Sequence, residues 1–451
     1  MTYQETIDYL YSALPMFEVE GGSAYKPGLE RVKEILRFCG NPESKLKCIH
    51  VAGTNGKGST SSMIASILNE AGYRVGLFTS PHLVDFRERI RIGGEMISRE
   101  YVVEFVERLR ALLPRDLMPT FFEYTTAMAF KYYADKGVDF AVIEVGMGGR
   151  LDSTNVITPL VSVITNVSLD HTQYLGDTLG AIATEKAGII KYHVPVVLGR
   201  SSDEEVTKVI QKRSGELEAP LIMADKSDEL VRVQRDEGKG WRMESQSYGS
   251  IYQPLSGEFQ VENTRTVLEV CKILVTKGLH INETNVRDGL LHVTNMGLHG
   301  RLERVRESDP AIFLETGHNP GAWVYLSQEL ERMSHDGLTV VLGMSGDKDA
   351  SSVLNMLPHK ASYLIAQASG HRAMDAEALA HMAEERGLNA KAVGSVRKTL
   401  SEALRQVRDQ RVPNLFVGGS NYVIGDLLNS VSLSELSEWS LDELIKHLTK
   451  E

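Results

Sequence analysis

The heptapeptide Gly53-Thr54-Asn55-Gly56-Lys57-Gly58-Ser59 constrains this chain more than any other segment. It follows the apolar run Cys48-Ile49-His50-Val51-Ala52 and precedes an amphipathic stretch from Ser61 to Asn69, so it reads as the turn between a buried strand and a helix. A glycine-rich turn of this kind leaves backbone N–H groups pointing outward at the positive end of a helix, where they hold phosphate. Lys57 adds a movable positive charge for the outer phosphates. The spacing departs from the common G-x-x-x-x-G-K-[ST] loop, because position 51 is Val and Gly58 separates Lys57 from Ser59.

A strand–turn–helix unit needs a sheet to sit in, and the flanking sequence supplies one. Apolar runs at Val75–Phe78, Phe140–Val145, Val161–Thr165 and Val194–Leu198 alternate with helical stretches at Arg99–Leu113, Glu123–Lys136 and Leu179–Ile189. That alternation predicts a mostly parallel sheet with helices on both faces. From Glu229 to Gln260 the texture changes to polar alternation with Gly, Ser and Trp241, which predicts short antiparallel strands. Helices resume at Val261–Lys277 and Asn285–Leu291.

Asn295, Gly297 and Gly300 then interrupt the pattern and place a domain boundary in Val293–Gly300. Beyond it come strand Ala311–Leu314, helix Gly321–Met333, strands Leu338–Leu342 and Ser362–Ala366, a helix from Asp375, and strand Asn414–Gly418. The expected architecture is α/β throughout. A P-loop parallel-sheet ATPase domain covers 1–297, and a smaller Rossmann-like α/β domain covers 298–451.

Composition narrows the partners. With 451 residues, 42% hydrophobic and 24% charged, the chain has ample core for two domains. A net charge of −11 argues against a nucleic-acid surface, while leaving room for an anionic small molecule in a locally basic site. Cys39, Cys48 and Cys271 are too few and too scattered for a disulfide framework or a zinc cluster. Met1 to Leu10 lacks a hydrophobic signal core, and no run approaches the roughly 18 apolar residues that span a bilayer. The expectation is a reduced, cytoplasmic protein without membrane or nucleic-acid partners.

Polar groups recur at the predicted strand ends, where open α/β sheets bind ligands. Glu144 closes the run Phe140-Ala141-Val142-Ile143-Glu144 and is placed to ligate Mg²⁺ beside a phosphate loop. Alternatively it caps a helix or pairs with Arg150. Asp170-His171 follows the next strand, either as ligands or as a hydrogen-bonded loop. Glu185-Lys186 reads by default as a solvated surface pair, and Thr79-Ser80-Pro81-His82 as a turn. Glu315-Thr316-Gly317-His318-Asn319-Pro320 combines an acid for a ribose hydroxyl and a histidine for phosphate with a helix start, Asn319 capping and Pro320 at the first helical position.

Taken in order, these motifs resemble the folylpolyglutamate synthase/dihydrofolate synthase family, a branch of the Mur-type amide ligases. The resemblance runs through Leu29-Glu30-Arg31-Val32, the loop at 53–59, Thr79-Ser80-Pro81-His82-Leu83, Glu88-Arg89-Ile90 and Phe121-Phe122-Glu123. It continues through Glu144-Val145-Gly146-Met147-Gly148-Gly149-Arg150-Leu151-Asp152, Asp170-His171, Glu185-Lys186-Ala187-Gly188, Gly300-Arg301-Leu302-Glu303, Asp347-Lys348-Asp349 and Gly419-Ser420. It implies ATP and Mg²⁺ as cofactors, with a monovalent cation as a further candidate, and a monomer. It further implies that Ser80, Glu144 and His171 ligate the metal, together with a carbamylated Lys186. Asn263, Arg301, Glu315 and His318 would join loop residues Gly53 to Ser59 around the nucleotide. Phe122, Arg150, Leu151 and Asp152 would line the acceptor site, and Lys57, Lys186 and His318 would act in catalysis.

The implied reaction phosphorylates a carboxylate with ATP and then displaces phosphate with the amine of L-glutamate. The acceptor is dihydropteroate, a reduced folate, or both. Closure of a site spanning both domains is expected to be part of the cycle. Two positions depart from the family's pattern: Glu315 stands where an Asp is usual, and His299 where Pro is frequent. The rival readings are a cell-wall peptide ligase of the same superfamily, which would carry a further N-terminal domain ahead of the loop, and a catalytically silent nucleotide-binding homologue.

Overall fold

The structure is a computed structural model and describes residues 1–16, 26–114, 116–201, 203–236 and 239–450. It divides into two compact units, one of Met1–Arg235, Trp241–Pro254 and Phe259–Leu298, the other centred on His299–Glu451.

In the first unit, eight strands form one sheet: β1 (Cys48–Ala52), β2 (Val75–Phe78), β3 (Ile90–Ile92), β4 (Glu95–Met96), β5 (Phe140–Glu144), β6 (Val161–Ile164), β7 (Val196–Leu198) and β8 (Leu221–Met223). Their order is β4-β3-β2-β5-β1-β6-β7-β8. Pairing is parallel from β2 to β8 and antiparallel only at the β2-β3-β4 edge. The central strands are buried along their whole length, as continuous apolar runs in a parallel sheet require. β1 therefore lies between β5 and β6, with Val51 opposite both Glu144 and Val163. The phosphate loop, Glu144 and the Thr165–His171 segment all leave the same edge of the sheet side by side.

Local chemistry explains the small shifts from the expected boundaries. The helix expected from Glu123 begins at Phe121, because Thr120 and Glu123 form a reciprocal capping box. The strand expected from Val194 begins at Val196, after Pro195, which has no N–H to give to a ladder. The antiparallel segment is present as β9 (Leu230–Asp236), β10 (Gly240–Ser245) and β11 (Gly249–Gln253), a separate three-stranded sheet. Residues 237 and 238 within it lie outside the described residues.

The second unit holds β12 (Arg301–Arg306), β13 (Ala311–Glu315), β14 (Leu338–Leu342), β15 (Ser362–Gln367), β16 (Asn389–Ser395) and β17 (Asn414–Gly418) in the order β12-β13-β17-β14-β15-β16. All pairs are parallel except β12 with β13. β12 reads Arg-Leu-Glu-Arg-Val-Arg, a charged edge strand whose sequence hides its β character. Asn319 caps the Pro320–Ser334 helix with Pro320 in its first turn. Among the described residues, no helix is long and apolar enough to cross a membrane.

Candidate active site

The phosphate loop is shaped by residues far away in sequence. Gly53 and Gly56 have φ of +150° and +83°, and both are pressed against neighbours. A Cβ on Gly53 would sit 1.8 Å from Thr165 Oγ1, and one on Gly56 2.4 Å from Asn263 Oδ1. Only glycine fits either position without moving those side chains. Thr54 donates its N–H to Asn166 O at 3.0 Å. Asn55 donates its own to Asn166 Oδ1 at 2.9 Å, and Thr165 Oγ1 donates to Asn55 O at 2.6 Å. The expectation that loop N–H groups point outward is thereby narrowed. Those of Thr54 and Asn55 are used inside the protein, and the donors for an anion are those of the first turn of the Lys57–Glu70 helix, which have no intrahelical acceptor. Behind that turn Gln260 Nε2 donates to Ser59 Oγ at 3.3 Å, and Asn263 Nδ2 donates to Gln260 Oε1 at 2.9 Å.

Two lysines meet on one carbonyl. Lys57 Nζ donates to Gly53 O and Thr54 O, each at 3.1 Å, and Lys186 Nζ donates to the same Gly53 O at 2.9 Å. Lys186 is only 2% exposed, so the default of a solvated Glu185–Lys186 pair does not hold. Burial, reinforced by the Lys57 charge, pushes the Lys186 ammonium down to about 7. Glu185 instead pairs with Arg150, which also removes Arg150 as a partner for Glu144 (Arg150 Nη2 to Glu185 Oε1, 2.8 Å).

Glu144, 3% exposed, accepts the Ser80 N–H on Oε2 at 3.2 Å, so two of the expected metal ligands are adjacent. His171 adopts φ +49° at the start of the short Thr172–Leu175 helix, and its N–H donates to Asp170 Oδ1 at 2.9 Å. Among the described residues, no three His, Cys, Asp or Glu side chains gather to hold a metal by themselves. A carboxylate beside a hydroxyl-bearing residue at a phosphate loop nevertheless fits Mg²⁺, which takes few protein oxygens and completes its shell with water and phosphate.

On the acceptor side, Phe121 is core, edge-on to Phe86 with the Arg89 guanidinium 5.1 Å from its ring centre. Phe122 is half-buried and leans on Gly146, where a Cβ would come within 2.6 Å of its ring. Leu151 is half-buried and Arg150 exposed. Asp152 is buried with both oxygens engaged: Oδ2 accepts from Met147 N at 3.0 Å, Oδ1 from Thr154 N at 3.0 Å and Thr154 Oγ1 at 2.5 Å.

In the second unit, Glu315 ends β13 with 4% exposure. Its Oε1 accepts the Gly317 N–H at 2.7 Å, while Oε2 is buried without a hydrogen-bond partner. Burial pushes this acid up to about 7, against the pull of Arg301 and the backbone donors. Arg301 itself bonds Thr316 Oγ1. His318 Nδ1 lies 3.0 Å from Thr316 O and must donate to it, so Nε2 is the basic nitrogen of that ring.

The Mur ligase middle domain model matches residues 51–271, and the Mur ligase glutamate ligase domain model matches 300–416. A Bacillus subtilis dihydrofolate synthase/folylpolyglutamate synthase is 36% identical over 343 residues, 74% of this chain and 79% of that protein. The chain belongs to the folylpolyglutamate synthase/dihydrofolate synthase family. Folylpolyglutamate synthase from Mycobacterium tuberculosis, solved with ADP, superposes with a TM-score of 0.82 at 33% identity, covering 95% of this chain and 97% of that one. A probable bifunctional folylpolyglutamate synthase/dihydropteroate synthase of Haloferax volcanii is 34% identical over 94% of this chain, which spans only half of that relative's length.

Within this family frame, the residues that sequence reasoning missed are those that mould the site. Thr165, Asn166 and Ser168 grip the phosphate loop, the last accepting Thr54 Oγ1 on its carbonyl at 3.1 Å. The run Thr165-Asn166 at a strand end was their only signal.

Proposed function

We propose that this chain is an ATP-dependent amide ligase that adds L-glutamate to the carboxylate of dihydropteroate, of a reduced folate, or of both, through an acyl phosphate. The observation that carries the reading is the glycine loop at the end of β1, with two lysines on the Gly53 carbonyl and Glu144 ending the neighbouring strand. A carboxylate is a poor acylating agent because its leaving group would be an oxide. Transfer of the γ-phosphoryl group gives it a good one, and the enzyme's share of that step is alignment and charge neutralisation.

Helix-end N–H groups receive the phosphates, and Lys57 exchanges its two loop carbonyls for the phosphate charge. Ser80, Glu144 and His171 would hold Mg²⁺, whose bound charge offsets that of the phosphates. Lys186, buried and with its ammonium pushed down to about 7, has near neutral pH a substantial share of the free amine that reacts with carbon dioxide, and its carbamate would add an anionic ligand. Phe122, Arg150, Leu151 and Asp152 are assigned to the acceptor's side of the site. Asn263, Arg301, Glu315 and His318 are assigned to the nucleotide and to glutamate. With Nδ1–H given to Thr316 O, His318 Nε2 is the ring nitrogen that can take a proton from the glutamate ammonium, leaving the neutral amine to attack.

The test is product mass spectrometry after incubation with ATP, Mg²⁺ and glutamate, with dihydropteroate and tetrahydrofolate supplied in separate reactions. Glutamyl addition to both acceptors establishes two activities, and addition to one assigns a single activity. Nucleotide binding with no addition to either refutes the reading.

A further inference from the structure

His50 lies in the middle of β1 with no exposure, and its Nε2 is 2.8 Å from Thr154 Oγ1. The Thr154 hydroxyl sits 2.5 Å from Asp152 Oδ1, and Asp152 Oδ2 accepts the Met147 N–H. The directions of these bonds are fixed by proton count. The single Thr154 hydroxyl proton goes to Asp152 Oδ1, so the Thr154 lone pair must accept from His50 Nε2–H. Nδ1 of His50 is buried without a hydrogen-bond partner, which suits a lone pair far better than an N–H or a charge. Burial accordingly holds the ring neutral, its pKa pushed down to about 3.

The three side chains join two segments that the reaction needs in register. His50 stands three residues before Gly53 in the strand that carries the phosphate loop. Asp152 ties down Met147 N and Thr154 N, at the two ends of the turn that contains Gly148, Gly149 and Arg150 and follows Glu144. We propose that His50 and Thr154 are positioning residues for the acceptor: they orient Asp152, and through it hold the 146–155 turn at a set height above the phosphate loop. The inference rests on the reading of that turn as part of the acceptor site.

Thr154→Val keeps the shape of the side chain and removes the hydroxyl, while Thr154→Ser restores it. Two measurements on the full chain separate the clamp from its role. The first is hydrogen exchange, followed by mass spectrometry, of the peptide containing Met147 and Thr154. The second is steady-state kinetics with each acceptor that wild type uses. Exchange of that peptide should accelerate about tenfold or more in Thr154→Val, and kcat/KM for the acceptor should fall about tenfold, with KM for ATP within about twofold. Thr154→Ser should stay within about threefold of wild type on both.

Unchanged exchange in Thr154→Val overturns the clamp. Faster exchange with unchanged acceptor kinetics, or with an equal loss toward ATP, overturns the positioning role. A wild type that uses neither acceptor overturns the functional reading, and exchange alone then decides whether the clamp exists.

Discussion

Glu315 offers the sharpest quantitative test, because one of its oxygens is buried without a partner. An acid displaced from its ordinary 4.5 to about 7 couples folding to pH. Between those values the folded chain keeps a proton that the unfolded chain has released. Stability therefore falls as pH rises from about 4.5 to about 7, then levels off. The displacement corresponds to roughly 3 kcal/mol across that window, on a group shielded enough that solvent screening takes little of it. Glu315→Gln keeps the acceptor for Gly317 N–H and cannot ionise. The substitution introduces a buried amide N–H₂, which costs about 1–3 kcal/mol at any pH. The informative quantity is therefore the change of the mutant-minus-wild-type difference with pH, which should move by roughly 3 kcal/mol in the mutant's favour between pH 4 and pH 8. Urea unfolding can follow it through Trp323, whose Nε1 donates to Gly317 O at 3.2 Å, with Trp241 and Trp439 replaced by Phe in both proteins. A difference that stays flat with pH would refute the reasoning, since it would mean that the folded acid is ionised and partnered.

Lys186 should behave with the opposite sign: its folded pKa near 7 lies below the ordinary 10.5, so wild type should gain stability from pH 7 upward, and Lys186→Met should lose that slope in thermal melts. Gly53→Ala should cost roughly 2–3 kcal/mol and abolish ADP binding by calorimetry, because its Cβ would overlap Thr165 Oγ1. Lys57→Met should lower turnover by at least about a hundredfold while leaving the melting temperature nearly unchanged. Arg150→Ala should change stability by less than about 1 kcal/mol, its ion pair being half exposed, so any rise in acceptor KM would report a contact with substrate.

The two α/β units were legible because buried parallel strands are apolar from end to end and their caps are written locally, as in Thr120-x-x-Glu123 and Asn319-Pro320. β12 was not, because an edge strand carries charges that erase the alternation. The candidate site was legible at the loop itself and at the strand ends beside it. What escaped were relations between distant positions. That Lys186 is buried on Gly53 O, that Arg150 takes Glu185, and that Glu315 turns back onto Gly317 depend on which side chains the topology brings together. No local pattern encodes those pairings.

The grip of Thr165, Asn166 and Asn263 on the phosphate loop bears on how such a loop can change or be moved. Its glycines are dictated by a mould that the chain supplies much later. A heptapeptide transplanted alone into another strand–helix frame would arrive without that mould and keep its sequence while losing its shape. Substitution is likewise ordered in time: a side chain at position 53 requires position 165 to give up its hydroxyl first, and must still bear a φ of +150°. The unit of inheritance for this site is therefore the loop together with the strand end that grips it.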